Sequence, residues 1–208
     1  MSKAVIHDLG ALKEWLARSG AAPRALAEEV VASGLPELDA GLLPGGFVRG
    51  QISVLSGQAG TGRMTVAAHV VAAETRRGRA VAWIDVERTL YPPALARLGV
   101  ELERLLLVRP ERPERAVKAA ELVVDAGVFG VVVLSGLSRD LAGAEARRLH
   151  LATEKARVAT LVLLEPALGL TSARWVLGFR RDPDKVEIEL LRGSHGRSGR
   201  RIALLESG

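Results

Sequence analysis

The segment Gly57-Gln58-Ala59-Gly60-Thr61-Gly62-Arg63-Met64-Thr65 has the glycine spacing of a phosphate-binding loop, with altered chemistry at its end. In a loop that works on nucleotides, Gly-x4-Gly is followed by Lys and then Ser or Thr. The glycines let backbone N–H groups cradle phosphates, the lysine reaches the β/γ-phosphates, and the hydroxyl ligates Mg²⁺. Here Gly57, Gly60 and Gly62 keep the frame, Arg63 takes the lysine position and Met64 the hydroxyl position. A thioether does not hold Mg²⁺, which takes oxygen ligands in octahedral geometry. Thr65 comes one residue late, so its hydroxyl is expected to point along the following helix rather than at an ion. Arg63 leaves two readings open. Its guanidinium matches phosphate oxygens, or it fills the emptied loop and pairs with a carboxylate such as Glu87. The expectation is a nucleotide-binding frame stripped of catalytic equipment and of its metal. No cofactor is expected, with weak ATP or phosphate binding left open because a glycine loop at a helix N-terminus still attracts anions.

The elements that position this loop read as an alternation of strands and helices. Gln51–Ser56 is a buried strand, and a helix follows from Thr61 to Arg77, stopped by Gly78. Strands are predicted over Ala80–Asp85, Leu105–Val108, Phe129–Leu134 and Thr160–Leu164, and helices over Pro92–Leu98, Pro113–Ala126 and Gly143–Val158. The near-continuous apolar run at Phe129–Leu134 fits a central parallel strand covered on both faces. Arg174–Arg180 and Lys185–Leu191 read as an antiparallel pair around Arg181-Asp182-Pro183-Asp184, with Ile202–Leu205 as an edge strand. Upstream, Ala11–Arg18 is a short helix with Leu12, Trp15 and Leu16 on one apolar face. A second helical piece is placed after Pro23, running through Glu29, a short strand at Val30-Val31, and a helix over Leu35–Leu43 ended by Pro44-Gly45-Gly46. This pattern gives a mostly parallel sheet flanked by helices. It divides into an N-terminal helical extension, 1–29, and an α/β core, 30–208.

Composition agrees with one such domain: 208 residues, 48% of them hydrophobic, suffice for a packed α/β core. The absence of Cys excludes disulfides and thiolate metal sites, and the four His are scattered without metal-ligand spacing. Met1–Asp8 carries no signal-peptide apolar region, so a cytoplasmic setting is expected. The net charge of +5 favours acidic partners. Two arginine clusters are candidate DNA contacts, Arg76 with Arg77 and Arg192 with Arg197, Arg200 and Arg201; the second is Gly/Ser-rich, which suits sequence-independent phosphate contact. Aromatics are only 3% of the chain, too sparse for base-stacking platforms. Trp83, inside a strand, and Trp175, in the C-terminal hairpin, read as core residues.

The order of these signals resembles the core domain of RecA recombinases over Val30 to Leu205. Ser33-Gly34, Leu38-Asp39, Gly45-Gly46 and Gly50 are similar to that family's approach to its phosphate loop. Ile84-Asp85-Val86-Glu87-Arg88-Thr89-Leu90-Tyr91-Pro92, continued by Leu95-Ala96-Arg97-Leu98-Gly99-Val100, resembles its Ile-Asp-Ala-Glu segment. Gly130-Val131-Val132-Val133-Leu134-Ser135 falls on its Walker B strand. The resemblance implies the RecA-like fold and marks departures at each active position. Leu134 replaces the Asp that supports Mg²⁺, and Leu164-Glu165-Pro166 replaces the Asn-Gln pair that couples nucleotide to DNA. Tyr91 and Ala94 stand where the family contacts adenine, Tyr91 being expected to fill the vacated adenine pocket. Both DNA-binding loops are short, the second reduced to Ala167–Ala173. Glu87 keeps the place of the water-activating carboxylate but without metal support, since phosphoryl transfer depends on positioning and charge neutralisation.

A RecA-like core of this length, degenerate at both nucleotide motifs, is similar to the ImuA proteins of bacterial DNA-damage mutagenesis cassettes. That resemblance implies a non-catalytic adaptor in translesion synthesis, a pseudo-ATPase whose partners are ImuB and RecA, nucleoid-associated when engaged. Leu12, Trp15 and Leu16 are then a candidate docking face, unless their helix covers its own core. The alternative is a DNA-binding recombination accessory like the RecA paralogs, with or without residual nucleotide binding.

Overall fold

The computed structural model describes residues 4–18, 30–43, 45–166, 173–193 and 198–205. In chain order the elements are β1 (Ala4–Ile6), α1 (Leu9–Arg18), β2 (Val30–Val31), α2 (Pro36–Gly41), β3 (Phe47–Val48) and β4 (Ile52–Ser56). They continue with α3 (Arg63–Arg76), β5 (Ala80–Asp85), α4 (Pro92–Arg97), β6 (Leu105–Val108), α5 (Ala116–Asp125) and β7 (Phe129–Ser135). The last are α6 (Gly143–Ala156), β8 (Ala159–Leu164), β9 (Trp175–Asp182), β10 (Lys185–Arg192) and β11 (Arg201–Leu205). The second helical piece expected through Glu29 and most of the expected second loop, 167–172, lie outside the described residues.

Strands whose residues are apolar on both faces must be covered on both faces. β4, β7 and β8 are buried along their whole length, and they sit inside a sheet of order β1-β6-β5-β7-β8-β4-β9-β10-β11. Pairings from β1 through β9 are parallel; β9–β10 and β10–β11 are antiparallel. The mostly parallel sheet, flanking helices and antiparallel C-terminal strands are those expected from the sequence. On one face, Val66, Val70 and Val71 of α3 pack with Leu38 of α2 over Leu55, Trp83, Leu161 and Leu177. On the other, Val117, Val124 and Leu149 of α5 and α6 pack over Ile52, Val54, Ile84, Val132 and Leu134. Trp83 is fully buried, and its indole N–H donates to Ser135 Oγ at 2.9 Å.

The N-terminal segment corrects the expected docking face. β1 is the edge strand of the sheet, paired in parallel with β6. Leu12 is fully buried in its own chain's core, Leu16 packs against that core, and Trp15 stacks on Phe129 with ring centroids 6.5 Å apart. Burying those side chains keeps apolar surface from water, so the helix face is occupied within the chain. Leu12→Ala is therefore expected to cost about 3 kcal/mol of stability, as large-to-small core changes do. A urea titration checks this; a loss near zero would restore Leu12 to the surface.

Candidate functional site

The loop after β4 is placed by strand register. Ser56 pairs with Leu164, so the end of β8 lies beside the start of the loop, and Gly57 N–H donates to the Leu164 carbonyl at 3.1 Å. Gly62 turns the chain into α3 with φ +91°, a left-handed conformation that costs glycine little and other residues more. Thr61 Oγ1 donates to Gln58 O at 2.8 Å, which folds the loop onto itself.

Arg63 opens α3 and turns toward β8. One guanidinium nitrogen donates to the Leu164 carbonyl and the other to Glu165 Oε1 at 2.6 Å. Its side chain is 14% exposed, while that of Glu165 is 46% exposed. The pairing with Glu87 left open by the sequence is not formed. β5 stands three strands from β4 in the sheet, about 14 Å at ordinary strand spacing, and Glu87 at its end is exposed to solvent. Met64 packs against the core on the α3 face, and Thr65 is exposed. Leu134 is fully buried between Ile84 and Val162 of its neighbouring strands.

The segment carrying Glu87 is organised by a residue for which the sequence named no role. Asp85 is 1% exposed. Its carboxylate accepts from Thr89 N–H at 3.2 Å, Leu90 N–H at 3.1 Å and Arg109 Nε at 3.0 Å. Arg88 is held in the left-handed region at φ +61°, and the backbone of Glu87 runs so close to Gly136 that a side chain there would collide with it. Asp85→Ala is expected to destabilise the protein by about 3 kcal/mol because it strands the partly buried Arg109. Glu87→Ala should stay within about 0.5 kcal/mol, and chemical denaturation of the pair distinguishes them. Tyr91, expected in a vacated adenine pocket, is 62% exposed and fills none.

The arginine candidates for DNA contact do not form one patch. Arg76 and Arg77 sit at the far end of α3, about 20 Å from the loop at 1.5 Å per residue. Arg77 and Arg79 pair with Glu74 at 3.6 and 3.2 Å. Arg201 lies at the opposite end of the molecule on β11, paired with Glu189 at 3.0 Å; Arg192 and Arg200 are exposed nearby, and Arg197 lies outside the described residues. An open groove of about 840 Å³ runs from Gln58–Thr61 and Pro166 along β9 to β11, lined by Arg180, Arg181 and Arg201 but also by Glu187 and Glu189. Lys185 donates to Glu187 at 2.7 Å, holding the Glu187 carboxyl below its usual range and its own ammonium above. The groove wall is thus a chequer of paired charges rather than a basic stripe.

Residues 13–147, from α1 through the phosphate loop and β7 into α6, match the RecA N-terminal domain. The chain belongs to that family. Among curated proteins this RecA-family chain is 38% identical over 107 residues to RecA of Brevibacillus brevis, covering 51% of this chain and 30% of that protein. It is 36% identical over 121 residues to RecA of Heliobacterium modesticaldum, covering 58% and 35%. The chain thus matches about a third of the length of those relatives. Among solved structures it is similar to the RadB recombinase, with TM-score 0.70 at 17% identity, over 85% of this chain and 96% of that one. That likeness concerns the fold. No helix among the described residues is long and apolar enough to cross a membrane.

Proposed function

We propose that this RecA-family protein is a non-catalytic adaptor of the ImuA type, acting in DNA-damage-induced translesion synthesis through contacts with ImuB and RecA. The observation that carries the reading is the commitment of Arg63. The one cation at the lysine position of the loop is bound to Leu164 O and Glu165. Two further observations support it. Met64 packs against the core, and Leu134, which the resemblance sets at the metal-supporting position, is fully buried on the α5/α6 face, away from α3. An ATPase needs groups that stabilise charge developing on the transferred phosphoryl, and none of these three residues is poised to do so. What persists is the scaffold, which suits a role performed by surfaces. DNA contact has less support, because Arg77 and Arg201 are ion-paired and stand at opposite ends of the fold.

The test is co-elution of the full chain with purified ImuB, and separately with RecA on single-stranded DNA, by size-exclusion chromatography. A stable complex with either partner, formed without nucleotide, is the expected result. Failure with both, or ATP turnover by the purified chain, would overturn the reading.

A further inference from the structure

We propose that the Arg63–Glu165 pair is an autoinhibitory latch that keeps the phosphate loop closed to polyphosphates. This rests on the reading of the loop as a non-catalytic frame and concerns how that frame is held.

The Leu164 carbonyl is a shared anchor. It accepts from Gly57 N–H, at the start of the loop, and from the Arg63 guanidinium, at its end. One acceptor at the tip of β8 therefore clamps both ends of the loop. Glu165, the next residue, completes the clamp by taking the second guanidinium nitrogen at 2.6 Å. Two more contacts close the middle. Thr61 Oγ1 donates to Gln58 O, and Arg181 Nη1 lies 3.4 Å from Gly60 O.

The two partners differ in what holds them. Arg63 is mostly covered, so with its donors turned toward β8 it presents little charge to an anion above the glycines. Glu165 is half exposed and can exchange Arg63 for water at small cost, because ion pairs with one solvated partner contribute little. Its carboxylate oxygen thus serves as an internal substitute for a phosphate oxygen, taking one guanidinium nitrogen while the Leu164 carbonyl takes the other. Once the carboxylate is removed, Arg63 keeps one anchor and has a free edge facing the loop.

The experiment is calorimetric titration of the full chain with inorganic pyrophosphate in magnesium-free buffer. It compares the unmodified protein with Glu165→Gln, Glu165→Asp and the double variant Glu165→Gln/Arg63→Ala. Glu165→Gln is expected to bind pyrophosphate about three- to fivefold more tightly than the unmodified chain, the scale of one freed, partly solvated charge contact. Glu165→Asp, whose shorter side chain keeps the charge but opens the 2.6 Å contact, should lie between them. Adding Arg63→Ala should abolish the gain. Thermal melts by circular dichroism confirm that each variant is folded, and the milder Asp variant decides if the Gln variant is not. Equal, weak binding by the unmodified chain and the folded variants overturns the latch and leaves the non-catalytic reading standing. A gain that survives Arg63→Ala also overturns it. Tight Mg²⁺-dependent binding of an ATP analogue by the unmodified chain would instead sink the non-catalytic reading itself.

Discussion

Leu134→Asp is expected to destabilise the fold by about 5 kcal/mol and to set its carboxyl on the α5/α6 face, away from the helix that carries the phosphate loop. Leu134 is fully buried, with Val132, Ile84 and Val162 on the same core face. Removing a buried leucine costs about 2–5 kcal/mol through lost transfer energy and the cavity left behind. A carboxyl group set there without a partner adds about 1–3 kcal/mol of uncompensated desolvation. Against a total stability of about 5–15 kcal/mol for a typical domain, that is most of the margin. Urea denaturation followed by circular dichroism measures it. A variant as stable as the parent would mean that the position opens onto a polar pocket.

Glu74→Ala should lose about 3–5 kcal/mol, because it leaves a buried guanidinium without its counter-charge. The side chains of Glu74 and Arg49 are both fully buried, and Arg49 Nη2 donates to Glu74 Oε2 at 2.9 Å. The other Arg49 terminal nitrogen donates to Gly130 O at 2.8 Å, tying the approach to β4 to the start of β7. Arg79, 3.2 Å from Glu74, and Arg77, 3.6 Å away, are more exposed and can turn to water when the carboxylate is lost. Arg49 cannot. The double change Arg49→Met/Glu74→Leu should therefore recover part of the loss, since an apolar pair of similar volume needs no compensating charge. Unfolding measurements on Arg49→Met, Glu74→Leu and the double form a cycle that isolates the pair. If the double variant is less stable than Glu74→Ala, the account of a stranded charge is wrong.

The strands most legible in the sequence are those with unbroken apolar character. β5 and β6 lie where the alternation places them, Ala80–Asp85 and Leu105–Val108, because burial on both faces keeps their interiors unbroken apolar runs. The C-terminal hairpin was equally readable from Pro183-Asp184 between alternating segments, although β9 runs on to Asp182, further toward the turn than expected. β1 and β3, with three and two residues, are too short for any period to register, and only their partners β6 and β2 define them.

The site was legible in its losses and opaque in its replacements. The altered positions Arg63 and Met64 stand out by residue type within the loop, whereas Leu134 was singled out only through the resemblance. Glu165 is 102 residues from Arg63, and only the parallel register of β4 on β8 brings them together. Glu87 drew attention through its resemblance to a catalytic carboxylate, whereas its neighbour Asp85 is the one that holds the segment in place. A buried acidic residue at a strand end followed by an exposed one is not distinguishable by pattern, because a strand's last residue can face either core or solvent.

The measurement that decides whether this RecA-family fold is a switch or a scaffold is titration of the unmodified chain with a non-hydrolysable ATP analogue, with and without Mg²⁺. With Arg63 bound to Glu165 and Met64, at the hydroxyl position of the loop, packed against the core, no Mg²⁺-dependent binding is expected at millimolar analogue. Micromolar binding that requires Mg²⁺ would contradict this and make the protein a nucleotide-gated switch.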